Sequence, residues 1–297
     1  MSRSYAPRMH EASRRPIVGL LASAVLLLGA CSSGSDAGSG EPTTSAPADT
    51  STTAAPATGI TASVASEREV DRAYRQGLGK AAEGWVFSTN FSLFRTDEAL
   101  VRTVTVDGAI PQEWVEKGYD HIGDVDVVGD VIHVPLEQPD YGADRQAMLR
   151  YDLETLGYLD GVEVSQSHNA WVAVDADTMT AYSMSGFTDD AVLRYDIDAG
   201  WEPLEPIQLS TTIDRVQGGD LRDGALWLST DDATDGVYRV DLATGDVVAL
   251  GSIGHVESEG EGIDATSLEG ADLHVLTAAP LPGPVLLIAL EVTEPTN

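Results

Sequence analysis

Residues 217–250 read QGGDLRDGALWLSTDDATDGVYRVDLATGDVVAL, and four short alternating segments are legible in them: 219–221, 225–229, 236–241 and 247–250. Alternation of apolar and polar residues is the period-two pattern of strands, and Gly or Asp marks each reversal. The same order recurs. A second unit carries segments at 122–128, 131–136, 147–152 and 162–165, and a last one at 263–268, 273–278 and 285–292. Working outward, the opening Gln217 has counterparts at Gln76, His121, His168 and Glu261, separated by 45, 47, 49 and 44 residues. A second landmark follows each opening, at Arg95, Arg150, Arg194, Arg239 and Ala289, with steps of 55, 44, 45 and 50. Two series in step at this period predict an all-β, five-bladed β-propeller of four-stranded antiparallel blades.

Closure follows from counting strands. The last unit is one strand short, and an open ring would expose sheet edges, so a segment near 60–65 is expected to supply the missing outer strand. Helical periodicity is scarce, with one candidate at 111–117, where Pro111 stands at the first turn and Gly118 at the stop. Asp152, Asp196 and Asp241 each precede a turn and are expected to cap backbone amides there. The repeated arginines are expected to cover apolar surface or pair with acids, and Trp85, Trp171 and Trp227 to pack between blades.

The N-terminus suggests export. Arg3, Arg8, Arg14 and Arg15 form a basic front before an apolar run at 17–30 of 14 residues, shorter than the about 20 a spanning helix needs. The run ends in Leu28-Gly29-Ala30-Cys31, which resembles the bacterial lipobox; that resemblance implies cleavage before Cys31 and lipidation of its thiol. Cys31 is the single cysteine, so a disulfide within one chain is excluded. Residues 32–64 are almost all Ser, Gly, Thr, Ala, Pro and Asp, a composition that buries too little apolar surface to fold. The expected organisation is a signal peptide at 1–30, a lipidated cysteine and flexible linker at 31–64, and a propeller at 65–297. A linker of that length reaches roughly 30 Å, placing the propeller outside the cell and off the membrane surface that the lipid anchor holds.

Charge narrows the partners. Loss of four arginines and Glu11 with the signal takes the formal net charge from −31 to −34, and Lys80 and Lys117 are the only lysines. Nucleic acid and anionic membranes are repelled, whereas cations, basic partners or salt tolerance are compatible.

In a propeller the first strand of each blade lines the central channel, so Gln76, His121, Asp124, His168, Asn169, Gln217, Asp220, Glu261 and Asp264 are expected to gather at one rim and bind a small molecule or an extracytoplasmic protein. Asp124, Asp126, Asp220, Glu261 and Asp264 are hard oxygen donors that suit Ca²⁺; with His121 and His168 added, zinc is the alternative. Were the rim catalytic, a bound cation would polarise a carbonyl or phosphoryl oxygen with Glu261 or His121 as general base. No Gly-x-Ser-x-Gly elbow, phosphate-binding glycine loop, His-Glu-x-x-His or dinucleotide fingerprint is present. Asp231-Asp-Ala-Thr-Asp235-Gly236 reads as a hairpin tip, because Ala233 breaks the acid alternation of a calcium loop.

Tyr74-Arg-Gln-Gly-Leu78 and the Glu261-Gly-Ile opening resemble five-bladed propellers of the glutaminyl cyclotransferase kind, and more distantly gluconolactonase and strictosidine-synthase relatives. The cyclotransferase resemblance implies cyclisation of N-terminal glutamine with a carboxylate as proton shuttle, and Glu261 is the matching position.

Overall fold

A computed structural model describes residues 59–255 and 257–295. The signal peptide, Cys31 and nearly all of the linker lie outside the described residues.

The chain enters through β1 (Thr61–Val70) and then builds blade 1 from β2 (Gly77–Lys80), β3 (Trp85–Ser88), β4 (Leu93–Thr96) and β5 (Arg102–Val106). Blade 2 follows a short helix α1 (Gln112–Val115). Its first strand is split into β6 (His121–Ile122) and β7 (Asp126–Val128), both paired with β8 (Val131–Glu137), and β9 (Gln146–Asp152) and β10 (Tyr158–Val164) complete it. Blade 3 comprises β11 (Ala173–Asp175), β12 (Thr180–Ser183), β13 (Thr188–Asp196) and β14 (Glu202–Asp214). Blade 4 comprises β15 (Val216–Arg222), β16 (Ala225–Thr230), β17 (Gly236–Asp241) and β18 (Val247–Ser252). Blade 5 comprises β19 (Glu259–Asp264), β20 (Leu273–Ala278) and β21 (Val285–Thr293), and its fourth, outermost strand is β1.

The ring is therefore a five-bladed propeller closed by its own N-terminal strand. β1 pairs with β21 from Thr61↔Thr293 to Val70↔Val285, longer than the six residues expected, because β21 continues to Thr293 and offers its whole edge. Pairing the first element with the last ties the two ends of the domain together and removes two exposed edges.

Apolar packing sits between blades. The buried residues fall into five clusters, one for each blade–blade interface: Val86 and Leu93 against Ile122 and Ile132, Met148 against Val172 and Ala181, Trp171 against Leu226 and Leu228, Trp227 and Leu250 against Ile263 and Leu273, and Leu276 and Leu287 against Leu78 and Phe87. Each fully buried aliphatic side chain contributes roughly 1.5–3 kcal/mol, so the ring is held laterally, blade by blade. The turn aspartates behave as expected. Asp152, Asp196 and Asp241 accept amide hydrogen bonds from Thr155 (2.8 Å), Ala199 (2.9 Å) and Ala243 (3.0 Å).

The first strands nearly touch at the axis. Gly123 lies so close to blade 3 that a Cβ there would fall on the carbonyl of Ala170, and a Cβ on Gly262 would overlap the carboxylate of Asp124. This pinch interrupts the first strand of blade 2 between β6 and β7 and leaves the channel with two separate mouths.

Candidate functional site

All five first strands run the same way along the axis, so residues that open them collect at one mouth and residues that end them collect at the other. Three positions along a strand amount to about 10 Å. Gln217 and Asp220, or Glu261 and Asp264, therefore cannot share a rim. The residues expected around one site are divided by the structure into three levels.

At the first mouth Gln76, His121, His168, Gln217 and Glu261 line a polar pocket of about 200 Å³. The imidazole of His121 is fixed at both nitrogens: Nδ1 lies 3.1 Å from the Asn90 amide nitrogen and Nε2 2.7 Å from Gln76 Oε1. An amide donor on one side and an amide oxygen on the other select the neutral tautomer with its proton on Nε2. Burial also lowers the pKa of His121. His168 is pushed down to about 4 by burial, reinforced by His121 and Arg215, and stays neutral at physiological pH.

Glu137 joins this group, and the sequence offered no hint of it. It ends β8 directly opposite His121 in the strand register, and its Oε1 accepts a 2.5 Å hydrogen bond from the Asn169 amide and lies 3.4 Å from His168 Nε2. Burial pushes Glu137 up to about 7 against that hydrogen bond. Burial disfavours the charged form of both groups, so their contact is not a standing ion pair.

Glu261 is 4% exposed, and among the described residues its carboxylate accepts no hydrogen bond. Burial raises its pKa well above the ordinary value, the neighbouring Glu259 and Asp231 add to the rise, and Arg75 opposes it. The Ser229 hydroxyl holds the backbone carbonyl of Glu261, which fixes where the side chain starts while leaving the carboxylate free. Tyr141 and Phe187, from the connections between second and third strands of blades 2 and 3, and Arg215, between blades 3 and 4, complete the mouth. The only signal for the two rings was an aromatic residue in an otherwise polar loop.

Asn169 stands behind this wall. It is fully buried, with Nδ2 donating to the Ala147 carbonyl at 2.7 Å and Oδ1 accepting from Gln166 at 2.8 Å, so it supports Glu137 through its backbone and does not face the pocket.

Asp124 occupies the pinch. Its Oδ1 accepts from the Leu78 amide at 2.9 Å, and its Oδ2 from the Gly219 and Ile263 amides at 3.2 Å each, joining blades 1, 4 and 5 to blade 2. Burial drives its pKa well above the usual range in spite of these bonds.

Asp126, Asp220 and Asp264 lie at the opposite mouth with Lys80 and Arg222. Each accepts from the next blade: Asp126 from Val174 at 2.6 Å, Asp220 from Ala265 at 2.6 Å and Asp264 from Lys80 at 2.6 Å. These carboxylates stitch neighbouring first strands together. The five donors expected around one cation are thus spread over both mouths and the pinch, and among the described residues no group of three or more His, Cys, Asp or Glu side chains is placed to hold a metal ion. The donor set does not fit Ca²⁺ or zinc. A further groove, of about 560 Å³, lies on blade 1 between Glu83, Arg95 and Glu98, whose charged side chains are exposed or half-buried, away from the axis.

No protein-family model matches the sequence, and no curated protein matches it. Among solved structures, the chain is similar to a luciferin-regenerating enzyme, at 12% identity and a TM-score of 0.47 over 72% of this chain and 76% of that one. It is also similar to the hydrazine synthase of Kuenenia stuttgartiensis, at 14% identity and a TM-score of 0.45 over 77% of this chain and 65% of that one.

Proposed function

We propose that this chain is an exported lipoprotein, anchored through Cys31 to the outer face of the membrane, whose propeller binds a small polar ligand at the Gln76–Glu261 mouth. The observation that carries the reading is Glu261. Its carboxyl lines the mouth and accepts no hydrogen bond among the described residues, and the ring does not need an acid there, because the other blades open with Gln76, His121, His168 and Gln217. A carboxyl that the fold does not consume is available to hydrogen-bond a ligand. The neutral, doubly held His121 and the Glu137–His168 pair then supply further fixed donors and acceptors around it.

Two measurements test this. Cys31→Ala is expected to move the protein from the membrane to the soluble fraction, and retention on the membrane would overturn the anchor. A thermal-shift screen of small polar molecules against the wild type and Glu261→Gln is expected to find ligands that stabilise only the former. Stabilisation that ignores Glu261→Gln would place binding elsewhere.

A second reading is favoured by the raised pKa of Glu261: proton shuttling of the kind the cyclotransferase resemblance implies, with Glu261 carrying the proton and the Glu137–His168 pair beside it. It predicts turnover of an N-terminal glutaminyl peptide that is lost in Glu261→Gln with the fold intact.

A further inference from the structure

Building on the reading of this mouth as a binding site, we propose that the group it takes is a small organic cation, an ammonium or methylated ammonium. Four carboxylates line the pocket, Glu137, Asp231, Glu259 and Glu261, and the one lining cation, Arg215, is already committed, its guanidinium bound to the carboxylate and the carbonyl of Asp231. Arg75, behind the wall, donates to the Ala279 carbonyl at 2.8 Å and weakens the negative field without entering the pocket. Both histidines are neutral and Glu259 has no ion-pair partner among the described residues, so the excess charge at the mouth is negative, and an entering cation draws Glu261 and Glu137, whose protonated forms burial favours, toward ionisation.

The second observation is the wall itself. Phe187 and Tyr141 meet edge to face with ring centroids 5.6 Å apart and interplanar angle 89°, and His168 lies 4.5 Å from Phe187 and 5.4 Å from Tyr141. The Phe187 and Tyr141 rings, 47% and 37% exposed, line the edge of this acidic pocket, within reach of whatever enters. An aromatic face attracts an organic cation by about 0.5–1 kcal/mol when exposed and about 2 when desolvated. Glu261 is the third observation: its free, buried carboxylate faces the same space.

A metal ion would need three or more donors converging within coordination distance, which this mouth lacks. An alkylammonium does not: its charge is spread over methyl or methylene hydrogens, and it is satisfied by rings and carboxylates at van der Waals distance. At about 200 Å³ the pocket displaces roughly seven waters, at about 30 Å³ each, enough for a choline-sized head group. The strongly negative overall charge raises the local concentration of cations near the protein.

The test is calorimetric titration of the full-length protein in detergent with choline, tetramethylammonium, the neutral choline isostere 3,3-dimethylbutan-1-ol, and glutamine amide blocked at its amine. Saturable binding of the two cations is expected, at least about tenfold tighter than the isostere and weakening as salt is added. Glu261→Gln is expected to cost about tenfold in cation affinity and Phe187→Ala, an exposed ring whose loss leaves the fold intact, about threefold. Equal binding of choline and its isostere overturns the proposal, as does cation binding that both variants leave unchanged. Binding of the blocked amide alone, lost in Glu261→Gln, overturns the cation while sparing the mouth as a polar site. A panel in which nothing binds overturns both.

Discussion

The two mouths of the channel are built from the same repeat and the same acidic residue types, yet they differ in what their carboxylates touch. At the Asp126, Asp220 and Asp264 end every one of the three accepts a backbone amide from the adjacent blade. At the Glu137 and Glu261 end one carboxylate has a single amide and a histidine, and the other has no donor among the described residues. Side chains consumed by backbone hydrogen bonds act as fasteners. Those left over are available to a ligand. Acid count alone does not distinguish the two.

Removing the fastener between the mouths should have the largest effect. Asp124→Ala strands three buried amides, each costing about 1–3 kcal/mol, so a loss of at least about 3 kcal/mol in urea unfolding is expected, with Asp124→Asn losing less because one acceptor survives. A variant as stable as the wild type would show that the pinch is not a junction. Asp264→Ala comes next. It frees the Lys80 and Thr266 amides for about 1–2 kcal/mol and leaves ligand binding at the far mouth untouched; a change in that binding would mean the two mouths communicate.

The pH dependence sharpens the comparison because it draws on both ends. Glu137 and Asp126 are raised by burial to about 7, so between the ordinary carboxylate range and pH 7 the native state keeps protons that the unfolded chain has released. Their stabilising contribution is full at acid pH and is lost as pH rises through about 7. His168 and His133, lowered by burial to about 4, act oppositely: the unfolded chain binds their protons first, so they favour folding as pH climbs from about 4 to 6.5. Above 6.5 only the acids remain, and the melting temperature should fall between pH 6.5 and 8. Glu137→Gln and Asp126→Asn should each flatten that fall. A melting temperature that rises over this range would contradict the burial of these carboxyls.

Glu261→Gln should have the smallest effect on stability, within about 0.5 kcal/mol or slightly stabilising, since it replaces a carboxyl that no protein group hydrogen-bonds among the described residues and whose ionisation burial disfavours. A large destabilisation would class Glu261 with the fasteners and erase the difference between the mouths.

Much of the ring was legible before any coordinates. The recurrence of Gln76, His121, His168, Gln217 and Glu261 placed all five first strands, and the missing fourth strand of blade 5 pointed to the segment that became β1. Boundaries moved where glycine intervened. The first strand of blade 2, expected to be continuous, breaks at Gly123, because the backbone there is pressed against Ala170. In blade 5 the first strand begins at Glu259 rather than Ile263, since pairing with β20 starts at Ala278. The mouth was half legible: His121, His168, Gln76 and Glu261 came from the repeat, whereas Glu137, Tyr141, Phe187 and Arg215 occupy strand ends and connections that repeat nothing.

Period, alternation and turn chemistry are local properties of the chain, so the sequence alone determined five antiparallel blades and their order around an axis. Which polar residues share a mouth depends on axial level, and whether a carboxylate is a fastener or a free group depends on amides contributed by other blades tens to more than a hundred residues away. Both are set only when the ring closes, because hydrogen bonding and burial act through space and leave no trace in spacing.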